Sequence, residues 1–316
     1  MLQGIPKISV YIITYNQEDV IDRTLGSILN QRDFVYEICV SDDHSTDRTW
    51  EILQEYDKKY PNLFKLNRND PNLGIFENTE KVWTMPTGDI VHDLAGDDCV
   101  GDGWFRTVVE FIKTNSIDYK NELFCIYGDF KALYPNGDSI VFSQNAIAKR
   151  PNDALRLALR GIIGGRSCCY SIKILKKFNK VSQGRSHIVE TLQDRQLQIH
   201  SEKNYYIPFV GNVYNAGIGV STHIQDDETF QERLNIFPYA LKYLEENGIV
   251  LPKVDYNFCK FNIAKKRFRR KHSFLNLIKV CFYYITSYDR TLPHGNSFNH
   301  LLFALKRRLL RKKTVF

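Results

Sequence analysis

No stretch of about 20 consecutive apolar residues occurs in this 316-residue chain, so no segment reads as a membrane-spanning helix. The nearest approach, Phe274 to Tyr288, is short and carries Lys279. The opening residues, MLQGIPKISVYIITYN, have neither a basic head nor a cleavable apolar stretch, and so read as no secretory signal. Cysteine is sparse and without pairing pattern: there are seven, an odd number, with no C-x-x-C and with Cys168 directly beside Cys169. That is not a disulfide framework, and it predicts reduced thiols in a cytoplasm. Internal repeats and low-complexity tracts are missing as well. No G-x-G-x-x-G follows the first apolar run, which argues against a dinucleotide dehydrogenase. The loop after that run, TYNQED, has no glycine and no base, which argues against a sugar nucleotidyltransferase.

Negative charge is almost absent from the last part of the chain. Asn257 to Phe316 holds 15 Lys or Arg and one acid, Asp289. That segment is therefore +14, and the total of +7 leaves −7 for the first 256 residues. Such a segment favours an anionic partner. Near its end, Phe298, Leu301, Leu302, Leu305 and Leu309 share one helical face, with Lys306, Arg307, Arg308, Arg311, Lys312 and Lys313 around it; KKRFRRKH near Arg267 is a second basic patch. A basic amphipathic helix reads as a membrane-surface anchor, here on the anionic inner face of the cell membrane. The plainer alternative is a helix packed on the body. Nucleic acid is not an expected partner, because no recognised binding module accompanies the charge.

The first third alternates strand and helix signals. Ile8–Thr14 is a buried strand rich in β-branched residues. A helix follows, with Val20, Ile21, Thr24, Leu25, Ile28 and Leu29 at helical spacing and Asn16 as its expected cap. Strands over Tyr36–Ser41, Leu63–Leu66 and Asp89–Leu94 alternate with a helix capped by Ser45 or Thr46 and another over Gly74–Met85. That order predicts a parallel, right-handedly wound α/β sheet. The middle predicts a hairpin of Leu123–Leu133 with Ser139–Phe142 about the turn PNGD, and helices over Asn152–Gly161 and Ile188–Ser201. Separate strands near Tyr205 and Asn212 come next, then a helix over Glu228–Asn247 kinked at Pro238.

Three acidic clusters carry the chemistry. SDDHSTD follows the second strand, AGDD the fourth, and LQDRQ lies in the later helix. Each alone reads as a turn or a cap. Adjacent acids at two strand ends repel unless a cation or donor groups offset them. In an open α/β sheet, the loops beyond the carboxyl ends of the strands line one ligand crevice.

The ordered blocks SVYIITYNQEDVIDRTLGSILNQ, YEICVSDDHSTDRTWEIL and NLGIFENTEKVWTMPTGDIVHDLAGDD resemble the nucleotide-binding half of family 2 inverting glycosyltransferases of the GT-A fold, in the subgroup that builds bacterial surface polysaccharides. The match is close over Ile8–Asp102 and looser to about His223. The resemblance implies a Rossmann-like, mainly parallel sheet with flanking helices. It sets a nucleotide-binding half at 1–103, an acceptor half at 104–225 and a helical, basic extension at 226–316. It implies a donor site of Thr14, Tyr15, Asn16, Asp42, Asp43, Asn72, Gly74 and Asp97. Within it Tyr15 stacks near the base, Asp43 reads the uracil imide edge, and Asp97 touches ribose or a metal-bound water. Asp98 would bind Mn²⁺ or Mg²⁺, and His223 is a further metal or phosphate ligand.

Asp194 matches the family's catalytic base, with Glu190 one turn earlier as the alternative. Two positions depart from the pattern: Ala95 and Gln193 stand where many members have acids. Those departures are what a non-catalytic nucleotide-sugar or glycan binder would show. Gly164 and Gly165 frame the expected acceptor entrance, and His92 and His187 have no assigned role. The expected reaction is transfer from a nucleotide-diphosphate sugar, with a UDP donor preferred, to a glycan or polyprenyl-diphosphate-linked acceptor. The expected location is the cytoplasm or the inner face of the membrane.

Overall fold

The structure, a computed structural model, describes residues 4–164, 167–178, 189–216, 237–238, 240–271 and 273–289. The chain divides into two compact units, one within Met1–Leu155 and Gly164–Ile236, the other within Arg156–Ile163 and Phe237–Phe316.

The first unit is built on one sheet. Its first four strands are β1 (Ile8–Thr14), β2 (Val35–Asp42), β3 (Phe64–Arg68) and β4 (Ile90–Ala95). They pair in parallel in the order β3-β2-β1-β4. The helices α1 (Ile21–Leu29), α2 (Thr49–Lys59) and α3 (Ile75–Trp83) make the crossovers. β1 is buried almost throughout because it is central, which explains its continuous apolar run. α1 buries Ile21, Thr24, Leu25, Ile28 and Leu29, the stripe that its spacing predicts. Each large apolar side chain buried this way contributes roughly 1.5–3 kcal/mol.

Beyond β4 the sheet becomes mixed. The short β5 (Cys99–Val100) precedes α4 (Trp104–Thr114), whose Trp104, Phe105, Val108, Val109 and Ile112 join the main core. The predicted hairpin forms from β6 (Phe124–Leu133) and β7 (Ser139–Phe142), which pair antiparallel. Short helices α5 (Ala146–Lys149) and α6 (Ala154–Leu159) lead towards β8 (Cys168–Ser171), α7 (Ile172–Leu175), α8 (Val189–His200) and β9 (Lys203–Asn215). The path across the sheet is β3-β2-β1-β4-β8-β6-β9-β5.

Three expectations change. Asn16 does not cap α1; Val20 holds that position, and Asn16 has a positive φ of 50° in the loop. α2 starts at Thr49 and not after Ser45 or Thr46, with Asp47 accepting from the Thr49 amide at 2.9 Å and its hydroxyl at 2.6 Å. The strands expected near Tyr205 and Asn212 are one strand. Its break is a bulge about Pro208, where pairing jumps from Tyr206 opposite Tyr127 to Val210 opposite Asp129. A proline has no N–H for the ladder, and a bulge accommodates it.

The second unit contains α9 (Lys253–Arg270) and α10 (Phe274–Thr286). Phe261, Ala264, Phe268 and Val280 form their shared core. Arg160, buried, clamps the start of α9 with a bidentate pair to Asp255 Oδ1 at 2.8 and 3.1 Å. Arg156 bridges Asp255 at 2.5 Å and Asp289 at 2.6 Å. The helix expected over Glu228–Asn247 is described only in its last part, where 240–246 are helical. The amphipathic segment 298–309 lies outside the described residues.

Candidate active site

Register brings the three motifs of the parallel half to one edge. Thr14 lies opposite Asp42, and Ile13 opposite Ala95. The loops TYN, SDDHS and AGDD therefore leave the sheet side by side at its carboxyl ends, where an open α/β sheet binds ligands.

The first two loops are laced together. The Asn16 amide donates to Ser45 Oγ at 2.9 Å, and Asn16 Oδ1 accepts from the Thr46 amide at 2.8 Å. The Gln17 amide reaches Thr49 Oγ1 at 2.7 Å, and Arg48 N donates to Glu18 at 2.9 Å. Thr14 is buried and gives its hydroxyl to Gln17 Oε1 at 2.7 Å. Tyr15 stands out from this lacing, 44% exposed at the rim.

Asp42 and Asp43 separate in role. Asp42 is wholly buried, and its carboxylate accepts from the Ser45 amide and hydroxyl. Burial raises its pKa despite those bonds and Arg68. It supports the loop. Asp43, also buried, accepts from Asn69 Nδ2 at 2.8 Å, the Leu73 amide at 2.9 Å and the Gly74 amide at 2.8 Å. Asn72 Nδ2 donates to the Asp43 carbonyl at 2.6 Å. Gly74 takes φ +85°, which only glycine adopts cheaply, and so presents its amide to Asp43. Asp43 thus gathers the segment Asn69–Gly74, including the cis Asp70–Pro71 bond, against the second loop.

The AGDD turn is held from both sides. Gly96 gives its amide to the Ile13 carbonyl at 3.1 Å, and its own carbonyl accepts from Thr24 Oγ1 at 2.8 Å. A Cβ here would collide with Gln17 Oε1 and come within 3.1 Å of the Thr14 side chain, so any larger residue would displace Gln17 from its bond to Thr14. Asn215, at the end of β9, donates from its side chain to the Asp97 carbonyl at 2.7 Å and from its amide to Asp98 Oδ1 at 3.1 Å. Asp97 and Asp98 are half-buried at that point. Their carboxylates are hard oxygen donors, as Mg²⁺ and Mn²⁺ prefer. Among the described residues no three His, Cys, Asp or Glu side chains converge to make a cage of their own. Two carboxylates fit an ion that takes the rest of its coordination from other donors. His223 lies outside the described residues.

α8 reaches the sheet at Tyr11. Tyr11 pairs in register with Asp93, and Tyr127 with Cys168. Gln193 Nε2 donates to the Tyr11 hydroxyl at 2.6 Å, and Trp83 Nε1 and Tyr170 OH reach the same oxygen at 3.2 and 3.3 Å. Burial, reinforced by Asp93, pushes the Tyr11 hydroxyl well above its usual range. The Cys168 thiol is pushed up by its hydrogen bond with Cys125 and by burial, with Asp93 and Asp194 both adding to it. Asp194 is partly exposed, and Gln193, which stands where the family pattern has an acid, anchors the turn that carries it. The side chain of Glu190 is outside the described residues, as are Gly165 and His187. His92 is a core residue: burial lowers its pKa to about 4, and Nδ1 lies 3.0 Å from the Cys168 carbonyl.

Asn215, Tyr11 and Asp93 were not among the residues expected from sequence. Asp93 had a signal, as an acid inside the apolar run of β4; a lone Asn at a strand end has none.

The glycosyl transferase family 2 profile matches residues 9–178, more than half of the chain, and the chain belongs to that family. It is 33% identical over 114 residues to a poly(ribitol-phosphate) beta-glucosyltransferase of Bacillus spizizenii, covering 35% of this chain and 18% of that one. It is 29% identical over 145 residues to a chondroitin synthase of Pasteurella multocida, covering 46% and 14% respectively. The chain thus spans less than a fifth of the length of either relative. The crystal structure of S. aureus TarS 1–349 in complex with UDP-GlcNAc superposes with a TM-score of 0.58 at 17% identity, covering 88% of this chain and 79% of that one. At that identity the likeness establishes the GT-A fold.

Proposed function

We propose that the protein transfers a sugar, with inversion, from a UDP-sugar to a glycan or polyprenyl-diphosphate-linked acceptor in surface-polysaccharide synthesis. The observation that carries the reading is the single sheet edge shared by Tyr15, Asp43, Asp97 and Asp98, with the first two loops bonded to each other and the AGDD turn held by Thr24 and Asn215. The UDP-GlcNAc complex of the structural neighbour and the glucosyltransferase relative support the donor class.

In this reading the base stacks by Tyr15. A carboxylate offers about four acceptor positions, and Asp43 uses three on Asn69, Leu73 and Gly74. The fourth suits the imide N–H of uracil; adenine lacks a ring N–H on that edge, and guanine, which has one, presents it from a larger two-ring base. Asp97 meets the ribose side, and Asp98, steadied by Asn215, would hold Mn²⁺ or Mg²⁺. When bound, such an ion supplies positive charge to the departing diphosphate. Asp194 takes the proton from the acceptor hydroxyl as that oxygen attacks the anomeric carbon opposite the leaving group. One carboxylate base is enough for inversion.

The test is turnover of UDP-glucose and UDP-GlcNAc by Asp194→Asn, followed through UDP release. The substitution keeps shape and removes basicity. It should lower kcat by ~10²–10⁴ with UDP affinity unchanged. An unaltered kcat would remove Asp194 from the mechanism, and no turnover by the unmodified chain with any UDP-sugar would favour a binding protein.

A further inference from the structure

α10 wears its apolar side outward. Leu277, Val280 and Tyr284 face the α9 core, yet Phe274, Leu275, Ile278, Phe282 and Ile285 are each 47–77% exposed. At 100° per residue these five fall within one stripe about 100° wide. A solvent-facing helix surface normally carries charge; this one has Lys279 at its margin only. Cations border it: Lys271 lies in the turn just before the helix, and Arg267 is in the last turn of the preceding one; both are exposed, as is Lys279. No described helix is long and apolar enough to cross a membrane, so the stripe is not part of a span.

Three occupants could cover it. The apolar positions of 298–309 in the same chain are one, but six Lys or Arg lie at 306–313, and docking there would set them against the cations around α10. A second copy would likewise place Arg267, Lys271 and Lys279 against their own kind. An anionic lipid surface offers an apolar phase for the stripe and counter-charge for its border together. We infer that α10 is an interfacial helix that lies in the plane of a bilayer rich in anionic lipid. Its five outward side chains enter the headgroup–acyl boundary, and its cations meet the headgroups. The inference does not depend on the sugar-transfer reading.

The experiment is flotation of the full chain with vesicles of phosphatidylcholine, alone or mixed with phosphatidylglycerol, at low and high salt. The second protein is Phe282→Glu/Ile285→Glu, whose sites are exposed enough for the fold to persist; an unchanged melting temperature checks that. The unmodified chain should float with the anionic vesicles, less so at high salt. The double variant should bind at least about tenfold more weakly. Three results would overturn the inference. One is equal flotation of both proteins, another is no flotation of the unmodified chain. The third is a dimer in light scattering that the variant converts to monomer while vesicles have no effect.

Discussion

Gln193 and Tyr11, 182 positions apart, are joined by a 2.6 Å hydrogen bond from Nε2 to the phenol oxygen. Trp83 and Tyr170 reach the same oxygen. The bond ties α8 to the central strand one residue before Asp194, so it positions the base that the proposed mechanism uses.

Tyr11→Phe deletes that oxygen and leaves the buried Gln193 donor without its partner. Stability should fall by about 1–3 kcal/mol, read as a lower urea midpoint with an unchanged slope. The kcat should fall as well, with UDP affinity retained, because the donor loops lie on other contacts. Full stability in the variant would show the network to be incidental.

Asn215→Ala removes the 2.7 Å bond to the Asp97 carbonyl while leaving its own amide for Asp98. The AGDD turn should loosen on one side only. The expected result is UDP binding weakened by roughly tenfold in the presence of Mn²⁺, about 1.4 kcal/mol, with little change without the ion. Calorimetry with and without Mn²⁺ separates this from a general loss of fold.

The parallel half of the fold was legible because its strands are buried on both faces and leave unbroken apolar runs between helical stripes. The acids at strand ends were legible because adjacent like charges need a reason. What stayed hidden depends on tertiary contact. Asn16 looks like a helix cap in sequence, yet it spends its side chain on Thr46 in the neighbouring loop. β9 reads as two strands because a bulge about Pro208 interrupts its pairing. Periodicity places Phe274, Ile278 and Phe282 on one face of a helix but is silent on whether that face looks inward. Gln193 looked like a defect in a catalytic motif, and only its distance to Tyr11 shows its use.

Stability should fall in mild acid because of His92. Burial holds its folded pKa at about 4, below the ordinary 6.5. Its neutral form therefore stabilises the fold fully above about pH 6.5. As pH falls, the unfolded chain takes up a proton that the folded chain refuses until about pH 4. The loss over that window is about 3 kcal/mol. Carboxylates titrate mainly below about pH 5, so the slope between about pH 6.5 and 5 belongs to histidines, with His200 adding to it because burial and Lys177 lower its pKa as well. His92→Asn, which keeps a donor near the Cys168 carbonyl, should flatten that slope; an identical slope would assign the acid sensitivity elsewhere.

In the proposed function Asp43 and Asp98 belong to one metal-assisted UDP site. Titration calorimetry of UDP and GDP against the unmodified chain and Asp98→Ala, each with and without Mn²⁺, tests it most directly. UDP should bind more tightly than GDP, Mn²⁺ should strengthen UDP binding to the unmodified chain, and Asp98→Ala should lose the Mn²⁺ effect while keeping its melting temperature. GDP binding tighter than UDP, or the same Mn²⁺ enhancement in both proteins, would contradict it.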